Sequence, residues 1–225
     1  MILIIAAMME ELDALKKLGE NIHETSVEDI HVVEMTLGDK PVILSLSGVG
    51  KVNAAYTTTL LSSVYKPTLI INIGSAGGLQ PDQSIGDIVI ANQVRAHDLD
   101  IGPNTIHDER FIYMPHHDYA HLALSLTKAL DIQGHVGEIV SGDQFVSFES
   151  DALIRIQNIF PDAICVEMEA SAIGGVSKRL KIPFVILRSL SDVPLREGND
   201  ITFEAFLPTA SRNSALLTEK FIKSI

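Results

Sequence analysis

Seven short apolar runs recur along the chain, at 2–6, 42–46, 69–73, 87–94, 136–140, 163–166 and 183–190, most of them rich in Ile and Val and bounded by turn residues. Runs of this length and composition predict buried strands. Between several of them lie stretches with helical periodicity, at 9–18, 51–64, 119–130, 150–158, 169–181 and about 203–223, and these predict helices. Alternating strands and helices cover both faces of a sheet, so the expected fold is α/β: a single domain over 1–225, its central mixed β-sheet flanked by helices. A length of 225 residues suffices for one sizeable core. Residues 98–117 break the pattern, because Gly102-Pro103-Asn104 and Met114-Pro115 stand among scattered His and Asp with no sustained period. A long loop is expected there, functional or interfacial in use.

The 17 Lys and Arg against 29 Asp and Glu give a formal charge of −12, which repels phosphate backbones and anionic lipid. Neither nucleic acid nor a membrane is an expected partner. Cys165, in the apolar run Ala163-Ile164-Cys165-Val166, is the single cysteine and reads as a small core residue. The start, Met1-Ile2-Leu3-Ile4-Ile5-Ala6-Ala7, lacks the basic region of a signal peptide and is too short to cross a bilayer, so a reducing cytoplasm is the expected location.

Ligands of α/β proteins collect beyond the carboxyl ends of the strands, which makes the polar residues that follow apolar runs the first candidates. Four groups qualify: Met8-Met9-Glu10-Glu11, Gly74-Ser75-Ala76-Gly77-Gly78, Glu167-Met168-Glu169 and Ser191-Asp192. A partly buried Asp192 would have its pKa raised, as a general acid near neutral pH requires, although a strand-end Asp also pairs with a neighbour such as Arg188 or caps a turn. Glu167 and Glu169, like Glu10 and Glu11, could instead be first-turn acids favoured by a helix dipole. The glycines of 74–78 would let backbone amides approach an anion or a sugar. Neither they nor Gly48-Val49-Gly50-Lys51-Val52 match a dinucleotide or Walker A spacing, which disfavours NAD and ATP. His107, His116, His117 and His121 cluster in sequence, but no H-E-x-x-H motif or Cys partner accompanies them, so no metal is expected.

Taken together, seven segments in order resemble the methylthioadenosine/S-adenosylhomocysteine nucleosidases of the purine and uridine phosphorylase superfamily. They are Ala7-Met8-Met9-Glu10-Glu11, Ser47-Gly48-Val49-Gly50-Lys51, Asn72-Ile73-Gly74-Ser75-Ala76-Gly77-Gly78, Gly86-Asp87-Ile88-Val89, Ser141-Gly142-Asp143-Gln144-Phe145, Val166-Glu167-Met168-Glu169-Ala170 and Arg188-Ser189-Leu190-Ser191-Asp192. The resemblance implies a nucleoside phosphorylase-like fold and hydrolysis of an adenine nucleoside without cofactor, in methionine salvage and methyl-cycle product removal. It implies that Glu11 activates water, Asp192 protonates nitrogen 7 of adenine and Glu169 holds the ribose hydroxyls. Met168 would lie under the sugar, while Met8, Val49 and Phe203 line the apolar side. Backbone groups around Phe145 and Val146 would read the adenine edge, and Ser75, Gly77 and Ser191 would position the acid and the base. The family also implies a homodimer in which loop 98–117 closes the partner's pocket over the 5′-substituent.

Phosphorylases of the superfamily need cationic donors for phosphate. Their Gly-Asp-x-x-Arg type loop is replaced here by Met8-Met9-Glu10-Glu11, and the position two before Gly74 is Asn72, both of which favour water as nucleophile. Two features depart from the family pattern. Met9 stands where Glu is common, and His97-Asp98-Leu99-Asp100-Ile101-Gly102-Pro103-Asn104 lacks the usual aromatic stretch, which opens 5′-deoxyadenosine and 6-amino-6-deoxyfutalosine as alternative substrates. A binding module without turnover is the reading from another class, and the intact Glu11, Glu169 and Asp192 argue against it.

Overall fold

The structure is a computed structural model that describes residues 1–102 and 105–225. Pro103 and Asn104, which belong to the expected long loop, lie outside the described residues. Among the described residues the strands are β1 (Ile2–Ala6), β2 (Glu20–Val27), β3 (Ile30–Leu37), β4 (Lys40–Leu46), β5 (Leu69–Gly78), β6 (Ile88–Ala96), β7 (Gly134–Ser141), β8 (Ala163–Glu167) and β9 (Phe184–Asp192). The helices are α1 (Met9–Lys16), α2 (Lys51–Tyr65), α3 (His117–Thr127), α4 (Asp151–Ile159), α5 (Ala170–Leu180) and α6 (Asn199–Ser224).

All nine strands join one mixed sheet in the order β2-β3-β4-β1-β5-β8-β7-β6-β9. β9 also pairs with β5, parallel, so that β5, β8, β7, β6 and β9 close on themselves and leave no free edge in that half. The other half is an open extension ending in the β2–β3 hairpin. Side-chain alternation sorts β1 between two cores: Ile2, Ile4 and Ala6 pack with Leu12, Leu15, Phe221 and Ile222 on one face, and Leu3 and Ile5 with Ala54, Leu61 and Ile173 on the other. Helices α1, α3 and α6 therefore cover the first face, and α2 and α5 the second. A smaller core under α4 holds Ala152, Leu153 and Ile156 against Val140 and Val166.

Every expected strand and helix is present, and three expectations are corrected. β2 and β3 were not foreseen. The segment 74–78 does not follow the strand but forms the end of β5, and Ser191 and Asp192 lie inside β9 rather than after it. The described residues of 98–117 are largely irregular up to α3, with short 3-10 turns at Thr105–His107 and Glu109–Phe111.

Candidate active site

Glu11 is set by the tight passage from β1 into α1. Its carboxylate folds back on the chain that precedes the helix, where Oε2 accepts the Ala7 and Met8 N–H groups at 2.9 and 3.1 Å. Oε1 accepts the Ser75 N–H at 3.0 Å and the Ser75 hydroxyl at 3.2 Å. A side chain that is 2% exposed is thus held by four donors from two elements. Gly74 makes this approach feasible. Its φ of +149° favours glycine, and a Cβ there would lie 2.7 Å from Glu11 Oε1 and 2.3 Å from Arg188 Nη1.

Asp192 enters from β9, beside β5. Ala76 faces Leu190 and Gly77 faces Asp192, so Ser191 is one residue too many and the alternation slips there. The slip re-aims the strand end, leaving Ser191 and Asp192 both buried, with the Ser191 hydroxyl donating to Asp192 Oδ1 at 2.9 Å. A Cβ on Gly77 would lie 2.8 Å from Pro194 and 3.3 Å from Asp192 Oδ2, so glycine is what lets the two strand ends close up.

Glu167 and Glu169 both precede the start of α5 and point to different partners. Glu167 accepts the N–H groups of Glu169 and Ala170, both at 2.9 Å, and the Ser141 hydroxyl, so it caps the helix. Glu169 turns away: Oε1 accepts the Gly50 N–H at 2.9 Å, and Oε2 lies 3.2 Å from Arg188 Nη2. Arg188, 1% exposed, also bonds Glu167, Asn72 Oδ1 at 2.6 Å and the Ile73 carbonyl at 3.2 Å. Its ion-pair partners are thus Glu167 and Glu169. Burial pushes the Glu169 pKa up to about 7, with Glu167 and Glu11 adding to the shift and Arg188 and the Gly50 amide opposing it.

These groups meet on one cavity of about 380 Å³. All twelve residues singled out from the sequence line it: Glu11, Asp192, Met8, Val49, Ser75, Gly77, Phe145, Val146, Met168, Glu169, Ser191 and Phe203. Phe145 and Phe203, edge to face with centroids 5.5 Å apart, form an aromatic corner of the lining. Arg188, Glu167, Gln144 and Pro194 also line it and were not assigned from the sequence. Arg188 was visible only as a neighbour of Asp192, since its partners Asn72 and Ile73 lie more than a hundred residues away. The histidines stand elsewhere. His117 and His121 are exposed with Nε2 atoms 3.0 Å apart, and among the described residues no group of three or more His, Cys, Asp or Glu is placed to hold a metal ion.

A cavity that combines buried carboxylates, an aromatic corner and glycine-lined strand ends fits a neutral, polar ligand with a flat ring. The family model of the phosphorylase superfamily matches residues 1–223. A 5′-methylthioadenosine/S-adenosylhomocysteine nucleosidase of Staphylococcus carnosus is 37% identical, with 100% of each chain covered. Two solved structures are similar over the whole fold. The 5′-methylthioadenosine/S-adenosylhomocysteine nucleosidase of Neisseria meningitidis in complex with methylthio-immucillin-A is 33% identical with a TM-score of 0.91, covering 100% of this chain and 99% of that one. The S-adenosylhomocysteine nucleosidase of Streptococcus pyogenes in complex with 5-methylthiotubericidin is 31% identical with a TM-score of 0.92, covering 100% and 96%. The chain belongs to the phosphorylase superfamily. Within it, the chain is a member of the 5′-methylthioadenosine/S-adenosylhomocysteine nucleosidase family, and so a nucleoside N-glycosyl hydrolase.

Proposed function

We propose that the chain hydrolyses the N-glycosidic bond of 5′-methylthioadenosine and S-adenosylhomocysteine, releasing adenine and the corresponding thioribose. The observation that carries this reading is the convergence of Glu11, Glu169 and Asp192, from the starts of α1 and α5 and the end of β9, on one cavity. Adenine leaves poorly as an anion. Asp192 donates a proton to nitrogen 7 as the C1′–N9 bond breaks, and the electron pair of that bond goes to the base. The sugar becomes oxocarbenium-like. Water adds to C1′ and gives a proton to Glu11, whose four donors fix where its oxygens face. Solvent exchange returns one proton to Asp192 and takes one from Glu11. Glu169 holds the 2′- and 3′-hydroxyls, a contact that strengthens as positive charge develops in the ring.

Met168 lies under the sugar in this reading, and Met8, Val49 and Phe203 cover the apolar side. Backbone groups at Phe145 and Val146 face the adenine edge. Ser75, Gly77 and Ser191 position the base and the acid through the contacts given above. Arg188 does not offer its charge to phosphate, because Nη2 is taken up by Glu167, Glu169 and Asn72. Two buried carboxylates on one guanidinium leave the site acidic, which suits water and a cationic sugar.

The working form is a homodimer in the cytoplasm, with loop 98–117 at the interface and over the partner's 5′-substituent pocket. The exposed apolar side chains Val52 and Tyr56 on α2, and Ile101 and Met114 within 98–117, support covered faces on these segments. No described helix is long and apolar enough to cross a membrane. Incubation with each thioether nucleoside tests the reaction: adenine should appear from both, and its absence from both overturns the assignment.

A further inference from the structure

Lys51 ends the Ser47-Gly48-Val49-Gly50-Lys51 motif, yet the proposed chemistry makes no use of its charge. Its ammonium bonds Asp98 and lies 3.1 Å from Asp143 Oδ2. The backbone is drawn into the same cluster. Asp143 Oδ1 accepts the Lys51 N–H at 2.8 Å, and Asp98 Oδ2 accepts the Asp143 N–H at 2.9 Å. Three distant segments are thereby joined: the start of α2, the chain after β6 and the chain after β7.

The start of α2 carries two further signs of a fixed geometry. Gly50 has a φ of +98°, and a Cβ there would lie 3.1 Å from Asp143 Oδ1, so the approach of Asp143 leaves little room for a side chain. Consecutive amides at this helix end go to two carboxylates, Gly50 N–H to Glu169 and Lys51 N–H to Asp143. Glu169 and Val49 line the cavity. Asp143 directly precedes Gln144, Phe145 and Val146, which line it too. Burial pushes the Asp98 carboxyl up, but the Lys51 hydrogen bond and the Asp143 amide outweigh it and hold the group below the usual carboxylate range.

We infer that Lys51 is a positioning residue, locking the Asp98 and Asp143 segments onto the start of α2 and so fixing the cavity walls that carry Val49, Glu169, Phe145 and Val146. The inference rests on the nucleoside reading of the cavity. An isolated exposed ion pair contributes little. Here one ammonium joins two carboxylates that are also bound by backbone amides, so the cost of ordering is shared across the cluster. Lys51 is not among the residues that line the cavity. Its loss therefore loosens the seat of the nucleoside and leaves the acid and the base in place.

Steady-state kinetics of adenine release from 5′-methylthioadenosine test this with Lys51→Met, Lys51→Arg, Asp98→Asn, Asp143→Asn and the double variant Lys51→Met/Asp98→Asn. Lys51→Met and Asp143→Asn should each raise KM on the order of tenfold with kcat within about threefold of the wild type. The double variant should be no worse than Lys51→Met alone, since both changes break one cluster. Lys51→Arg, which keeps the charge, should hold KM within about twofold. An unchanged KM in Lys51→Met and Asp143→Asn overturns the inference, as do single effects that multiply in the double variant. If Lys51→Met fails to fold, the KM values of Asp98→Asn and Asp143→Asn decide in its place: a rise supports the clamp and no change overturns it. An active wild type with unchanged variants contradicts the clamp alone, whereas a wild type that releases no adenine contradicts the proposed function and the clamp with it.

Discussion

Glu167 and Glu169 stand two positions apart and serve different ends. The amides of α5 capture Glu167, the ordinary use of an acid at a helix start. Glu169 is released toward the cavity because Glu167 already occupies that role. With its pKa pushed up to about 7, Glu169 is part protonated near neutral pH in the free protein. In the proposed reading Glu169 accepts both ribose hydroxyls, which needs the ionised form, so ligand binding would favour that form. Affinity for a nucleoside analogue that resists cleavage should then rise with pH up to about 7 and level off above. Calorimetric titration across that range checks the sign, and Glu169→Gln should flatten the slope. An affinity that falls toward pH 7 would contradict the role given to Glu169. In the proposed mechanism Glu11 and Asp192 act at the bond itself. Glu11→Gln and Asp192→Asn preserve shape but remove the base and the acid, so each should lower kcat by at least about 10²-fold while adenine binding persists. Adenine release near the wild-type rate in either variant would reject the corresponding role.

At the scale of elements, β5 and β9 build the site, and they also show where sequence reading runs out. Glycine is depleted in strands, so Gly74-Ser75-Ala76-Gly77-Gly78 reads as lying beyond a strand that ends at 73. It is strand because the glycines admit Glu11, Arg188 and Pro194 at distances a side chain would block. β2 was invisible for the opposite reason: Glu-Asn-Ile-His-Glu-Thr-Ser-Val is largely exposed at the sheet edge and has no apolar face to alternate. The buried strands β1, β8 and β9 were legible because both of their faces are covered, which demands continuous apolar runs. The candidate residues were legible through the resemblance of their motifs. The contacts of Arg188 were not, because they depend on strand pairing across the fold. Helix α2 makes a testable claim of its own. Val52 is 78% exposed and Tyr56, one turn on, is 47% exposed, so this face requires a cover. Sedimentation should find the wild type as a dimer and Val52→Asp shifted toward monomer. A monomeric wild type would contradict the proposed assembly.

For the molecule as a whole, the closed half of the sheet gathers the ends of β5, β8 and β9 while β1 and β4 bring α1 and the start of α2 to the same place. That closure draws on elements from both ends of the chain, and the family model matches residues 1–223 while the solved structures cover the whole of it. The acidic environment of the cavity, with Arg188 neutralised by Glu167 and Glu169, sets water apart from phosphate as the nucleophile. Cleavage of 5′-methylthioadenosine in phosphate-free buffer and in buffered phosphate, with the sugar product identified in each, decides between them. Hydrolysis predicts equal adenine release in both and a free thioribose. Adenine that appears only with phosphate, accompanied by a sugar 1-phosphate, would contradict it.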